Sequence, residues 1–165
     1  MADYYVAFWN LENLFDTVDA PRSDKLQRVL GGELQGWTAS VLDQKISQLA
    51  AIIRQMNGGR GPDILGVCEV ESRAVLEKLT GAFGLGRNYD IAHADAQDER
   101  GIDVAFIFDA GLFTVQEQFS HFIVKRTATR DLLQVNFRGP GARRLILIGN
   151  HWPSRSAGQY ESEPN

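Results

Sequence analysis

Cysteine is almost missing from this chain: Cys68 is the only one in 165 residues. A single thiol excludes an internal disulfide, and with it the stapled frameworks of small secreted domains. Positive charge is not in excess either. Seventeen Lys and Arg against 21 Asp and Glu leave a net charge of −4. That argues against a basic, electrostatically driven nucleic-acid binder. It leaves room for an enzyme that meets phosphates through a bound cation. No apolar run is long enough to span a membrane. The opening "MADYYVAFWN" lacks the basic stretch followed by an apolar one that marks a signal peptide. The expectation is a cytoplasmic protein. There is no internal repeat or low-complexity tract, and the length suits one domain over 1–165 with one good core.

What is present is a regular alternation of elements. "DYYVAFWN" reads as a first strand, rich in aromatic and β-branched residues. Residues 16–37 are polar with a Gly-Gly pair and read as a long loop, of a length that tends to be functional or mobile. Leu42, Ile46, Leu49, Ile53 and Met56 then recur at helical spacing and give one apolar face. Thr38 or Ser40 can cap that helix, and "NGG" at 57–59 ends it. "PDILGVCEVE" is a strand apolar on both faces, so both faces are expected to be covered. Ser72 caps a short helix carrying Leu76, Leu79 and Phe83. "YDIAHA" and "GIDVAFIFD" are strands, and "LFTVQEQFSHFIV", "RDLLQVNF" and "RRLILIGNHW" form a meander whose last two strands join in a Gly-Pro hairpin. The expected class is α+β: a mixed, mainly antiparallel sheet with helices on one face.

Side chains alternate faces along a strand. Val6, Phe8 and Asn10 share a face; so do Leu65, Val67 and Glu69, and Leu145, Leu147, Gly149 and His151, with Asn150 opposite. Each row is apolar and ends in a polar group. "GIDVAFIF" is reversed, with Asp103 at its start just after Arg100. An antiparallel course for that strand would gather Asn10, Glu12, Glu69, Arg100, Asp103 and His151 at one edge of one sheet. Rigid apolar rows converging on a polar rim are how sites are built.

Blander readings stand beside these. Asn10 alone is as much a turn starter as a site residue. Glu69, directly after a buried run, needs a partner or a metal. Asp103 pairs well with Arg100 as a structural salt bridge, and His151 alone fits a satisfied strand-end histidine. Glu71, just before the Ser72 cap, reads as solvated. His93 and His121 have no ligand-like spacing and read as structural or surface residues. "KRTATR" at 125–130 reads as a solvated basic face, and Trp37 and Trp152 as packing residues.

Taken together, "FWNLENLFD", "PDILGVCEVE", "RGIDVAFIFD" and "GNHWPSR" resemble four motifs of the endonuclease/exonuclease/phosphatase superfamily, the deoxyribonuclease-like fold, in the family's order. The resemblance runs from Tyr4 to about Glu163. It implies that Glu69 holds a catalytic divalent cation, magnesium or manganese. Glu12 is an acidic position that contacts the metal region in some members. Asn10 helps position the carboxylate and the phosphate, and His151 hydrogen-bonds the phosphoryl group. Arg100 and Asp103 fall in the third motif, while Asn150 and Arg155 stand where substrate phosphate would be met. One departure is Cys68, where the family often has Gln before the metal Glu.

The resemblance also implies a four-layer sandwich, helices-sheet-sheet-helices, of which this chain is the first half. The family's later Gly-Asp-x-Asn and Ser-Asp-His motifs do not occur here. The expected activity is metal-dependent hydrolysis of phosphate esters, first of all phosphodiesters as in nucleases, by a protein carrying both halves. Its partner is a phosphate-ester substrate, nucleic acid among the candidates. The chain alone is expected to be inactive. The alternative is a non-catalytic half-domain that buries an open sheet face, with Val6, Phe8, Leu65, Val67, Val104 and Phe106 on it, in a homodimer or against a partner.

Overall fold

The computed structural model describes residues 3–94, 103–121 and 132–152, the Lys25 side chain excepted. Strand β1 (Val6–Leu14) runs parallel to β2 (Ile64–Val70), and β2 pairs antiparallel with β4 (Asp103–Asp109). Strand β3 (Tyr89–His93) closes the other side of β4, giving a mixed four-stranded sheet ordered β1-β2-β4-β3. The meander does not extend this sheet. Strands β5 (Thr114–His121), β6 (Leu132–Arg138) and β7 (Arg144–Gly149) form a second, antiparallel sheet of their own.

Helix α2 (Ala39–Gly59) and helix α3 (Arg73–Gly81) cover one face of the first sheet. The Thr38 hydroxyl accepts from the Val41 N–H, and the Ser72 hydroxyl from the Val75 N–H, so each helix starts on a side-chain cap. Leu42, Ile46, Leu49 and Ile53 are buried as their spacing requires. Each is worth roughly 1.5–3 kcal/mol of hydrophobic burial. Regular α-helical backbone stops at Met56, where Asn57 and Gly58 turn left-handed (φ 56° and 63°). Ending a helix this way suits Asn and Gly.

Residues 16–37 are not simply a loop. A short helix α1 (Asp24–Leu30) starts at the Ser23 cap. Leu30 and Leu34 bury themselves against Phe15, with Leu26 and Trp37 packed alongside. Three widely spaced leucines in a polar segment are a weak signal, and tertiary contact with Phe15 completes it.

The opposite face of the first sheet carries Ile64, Cys68, Val104, Phe106 and Phe108. The second sheet packs on it through Leu133, Val135 and Phe137, with Leu145 and Leu147 at its edge. The expected open apolar face is therefore corrected. Leu65 and Val67 lie under the helices, and Val104 and Phe106 lie under the chain's own second sheet. Val6 and Phe8, on edge strand β1, remain about half exposed, as do Ile146 and Ile148 on the outer side of β7.

Among the described residues, no helix is long and apolar enough to cross a membrane.

Candidate functional site

The ends of β1 and β2 abandon regular strand geometry at the same level. Glu12, Asn13 and Glu69 all have positive φ (54°, 61° and 60°), and the register shifts between Asn10 and Leu14 and between Cys68 and Val70. Such bulges re-aim side chains at sheet rims. For residues other than glycine they cost of order 1–3 kcal/mol each. The bulge overturns simple alternation for Glu69. Its carboxylate does not follow Leu65 and Val67 under the helices. Oε2 accepts the Asn13 N–H at 3.1 Å, and Oε1 lies 2.9 Å from Nε2 of His151.

His151 reaches Glu69 from the second sheet, two residues past the end of β7. The polar edge is thus shared between two sheets rather than collected on one. Gly149 makes the approach close. A Cβ there would stand 2.6 Å from Cγ1 of Val104 and 3.1 Å from Cζ of Phe106. Asn10 sits beside Cys68 in the β1–β2 ladder, and its Oδ1 accepts the Glu12 N–H at 2.8 Å. The Glu12 side chain is exposed next to it. Asn150 is half-buried at the end of β7. Glu69, His151, Asn10 and Glu12 therefore lie together at one rim.

Asp103 occupies the same rim, opposite Val70 in the β2–β4 ladder, but it is buried. Its Oδ2 lies 3.0 Å from Nε2 of His93, so His93 is an interior partner and not a surface residue. Arg100 and Arg155, as well as the 125–130 segment, lie outside the described residues. Trp37 packs edge-on against Phe15, as expected, and Trp152 is 64% exposed.

Three residues of this region have no obvious signal in the sequence. Lys45, on α2, directs its ammonium to the carbonyls of Glu12 (2.5 Å) and Asn13 (3.5 Å) and lies over the Trp37 ring. Burial holds that ammonium below its usual range, against the pull of the Glu12 and Glu69 charges. Glu71 is not solvated: it is buried and forms a two-pronged ion pair with Arg22, Nε to Oε1 at 2.5 Å and Nη2 to Oε2 at 2.8 Å. Acceptance of the Asp16 N–H by Glu71 Oε2 (2.7 Å) then ties the end of β2 to the chain leaving β1.

Among the described residues no group of three or more His, Cys, Asp or Glu converges on one point, and the oxygen donor at this rim that suits a hard cation in kind is the Glu69 carboxylate. A partly exposed carboxylate, oriented by one N–H and one imidazole, leaves oxygen lone pairs at an open rim. Magnesium commonly uses one or two carboxylates and completes its shell with water and substrate oxygens.

The family described as Endonuclease/Exonuclease/phosphatase family matches residues 5–165. The chain belongs to this family.

Among solved structures, truncated Caenorhabditis elegans TDP2 is 17% identical at a TM-score of 0.58, over 96% of this chain and 49% of that one. The mannosyl-6-phosphatase Bt3783 of Bacteroides thetaiotaomicron VPI-5482 is 16% identical at a TM-score of 0.57, covering 90% and 51%. An endonuclease/exonuclease/phosphatase from Bacteroides vulgatus is 12% identical at a TM-score of 0.61, covering 92% and 53%. At these identities the likeness is one of fold. No curated protein matches. The chain spans about half the length of these family members, and its two packed sheets with helices on one side are the α+β half-sandwich that the motifs implied.

Proposed function

We propose that this chain supplies the cation-binding half of a phosphate-ester hydrolase, acting first of all on phosphodiesters in the manner of a nuclease. The observation that carries the reading is the Glu69 carboxylate, aimed by a bulge at a shared rim and held there by Asn13 and His151. Glu69 would hold magnesium or manganese, with Glu12 beside it. The cation, when bound, polarises a phosphoryl oxygen and stabilises the leaving oxygen. Asn10 and His151 are neutral or cationic donors placed to meet charge that develops on phosphorus-bound oxygens. Asp103 acts through His93 to keep the rim in place, and Asn150 lines the substrate side. Family membership supports phosphate-ester chemistry. Monoesters stand beside diesters as substrates, since a mannosyl-6-phosphatase is among the proteins similar in fold.

The test uses the chain extended to the full length of its solved relatives. Hydrolysis of bis(p-nitrophenyl) phosphate and p-nitrophenyl phosphate is followed with magnesium, manganese and chelator. Metal-dependent turnover that falls by about a hundredfold or more in Glu69→Gln is expected, a loss of the size seen when one transition-state stabiliser is removed. Chelator-resistant turnover, or full activity in the variant, overturns the reading. The 165-residue chain by itself is expected to be inactive.

A second reading is favoured by the half-exposed Val6, Phe8, Ile146 and Ile148. In it the chain is a non-catalytic module that buries these strips in a second copy of itself. Sedimentation velocity decides between the two: a monomer at all concentrations removes the second reading.

A further inference from the structure

Glu12 and Asn13 are consecutive left-handed residues, and neither is glycine. Asparagine tolerates this conformation better than most L-residues, but glutamate does not, and two in succession need support from their surroundings. Something must hold them. On the strand side the Asn10 amide oxygen accepts the Glu12 N–H. On the helix side the Lys45 ammonium takes the carbonyls of both residues, at 2.5 and 3.5 Å. The same turn delivers the Asn13 N–H to Glu69 Oε2 at 3.1 Å. Lys45 is itself fixed, lying one turn after the buried Leu42 and next to the buried Ile46, with its ammonium 5.5 Å from the Trp37 ring centroid.

We propose that Lys45 is a positioning residue of the Glu69 site. By gripping the Glu12 and Asn13 carbonyls it keeps the Asn13 N–H pointed at the Glu69 carboxylate and so sets that carboxylate's orientation. The inference rests on the reading of Glu69 as the cation ligand only where it predicts metal affinity. A lysine that merely tied α2 to β1 would, on neutralisation, leave cation affinity unchanged or raise it, since its positive charge lies near Glu12 and Glu69; only loss of orientation lowers it.

The test compares wild type, Lys45→Met and Lys45→Arg of this chain. The readouts are amide hydrogen exchange at Asn13 and Mn2+ affinity from the free-ion electron paramagnetic resonance signal. In Lys45→Met, Asn13 exchange should rise about tenfold or more while the amide of the α2 core residue Ile53 changes little. Mn2+ affinity should fall roughly tenfold, the low end for loss of a group that orients a ligand. Lys45→Arg, which can still donate to two carbonyls, should stay within about threefold of wild type in both. Folded Lys45→Met with unchanged Asn13 exchange and unchanged Mn2+ affinity overturns the proposal. So does acceleration of Asn13 and Ile53 alike, which marks general destabilisation. A wild type that binds no Mn2+ refutes the cation reading, while a selective Asn13 response still supports the positioning role. Should Lys45→Met not fold, wild type decides the matter. Through-hydrogen-bond coupling from the Lys45 15Nζ to the Glu12 carbonyl carbon is expected, and its absence overturns the proposal.

Discussion

Removing the Arg22 guanidinium should destabilise the fold far more than a loop arginine normally would. The Arg22 and Glu71 side chains are 1% and 4% exposed, so neither charge can fall back on water. Arg22 gives two N–H bonds to the Glu71 carboxylate, one to the Asp16 carbonyl at 3.0 Å, and one to that of Thr17 at 2.8 Å. In Arg22→Met, Glu71 keeps only the Asp16 N–H among these partners and becomes a buried, uncompensated anion. Breaking one side of a buried pair costs about 3–5 kcal/mol. That is a large share of the roughly 5–15 kcal/mol available to a domain.

Glu71→Gln keeps shape and an acceptor for the Asp16 N–H, but its amide NH2 replaces one of the two oxygens that accept from Arg22 and leaves the guanidinium without a counter-charge, so a loss of the same order, about 3–5 kcal/mol, is expected. The pair Arg22→Met with Glu71→Leu removes both charges together. It should cost clearly less than the sum of the single losses, with a coupling of up to about 3 kcal/mol. Urea unfolding followed by tryptophan fluorescence measures these variants together with Glu71→Leu alone, which closes the cycle. Trp37 reports directly on this segment because its indole N–H donates to the Phe15 carbonyl. A loss below about 1 kcal/mol in Arg22→Met, the worth of a surface pair, would refute the argument.

Two further outcomes follow from the rim's geometry. Gly149→Ala pushes a methyl against Val104 and Phe106; overpacking of this kind should cost about 1–3 kcal/mol in urea melts and loosen His151, seen as exchange broadening of its ring protons. Burial works to raise the Asp16 carboxyl, but hydrogen bonds from Lys78 and the Thr17 N–H, with the nearby Lys78 and Arg22 charges, hold it below its usual 3.8. Its stabilising contribution is therefore complete above the unfolded-state value, near pH 4, and is lost as pH falls through the lowered folded value. Urea melts of Asp16→Asn should show a shallower acid loss than wild type below pH 4, and an equal slope would contradict the assignment.

Much of the architecture was legible because it rests on periodicity. The apolar face of α2 needed only Leu42, Ile46, Leu49 and Ile53 at helical spacing. Polar tips on apolar strands were enough to single out Asn10, Glu69 and His151, but alternation alone put Glu69 on the wrong face, because a bulge at the end of β2 re-aims it. What escaped was decided by contacts between distant segments. Nothing local announces that β5–β7 leave the first sheet and fold over it, since a buried strand has the same pattern in either place. Glu71 resembles a solvated helix-start residue until Arg22, 49 positions earlier, arrives as its partner. Lys45 belongs by pattern to the polar side of an amphipathic helix, and its value comes from carbonyls that a bulge turns toward it. That bulge carries no glycine, the residue that would have advertised a positive φ.

The placement of strain argues for a site independently of any motif. The first sheet is tied at its other end by Arg87, which pairs with Asp63 and, at 2.7 Å, with Asp109. Charges there are satisfied, and neither Asp63 nor Asp109 has a left-handed backbone. At the rim of β1 and β2 the chain holds three left-handed residues with full side chains, at a combined cost of several kcal/mol. The Arg22–Glu71 pair and the Lys45 clamp lie immediately behind those residues. A scaffold that needed only stability would place glycine at 12, 13 and 69 and dispense with both devices. Instead Asn13 turns its N–H onto the Glu69 carboxylate, and the Glu12 N–H before it is taken by the Asn10 amide oxygen. Positive φ also occurs singly at Asn57 and Ala142, but the cluster at this rim converges on one carboxylate, which is what a site that must hold its ligand's geometry requires.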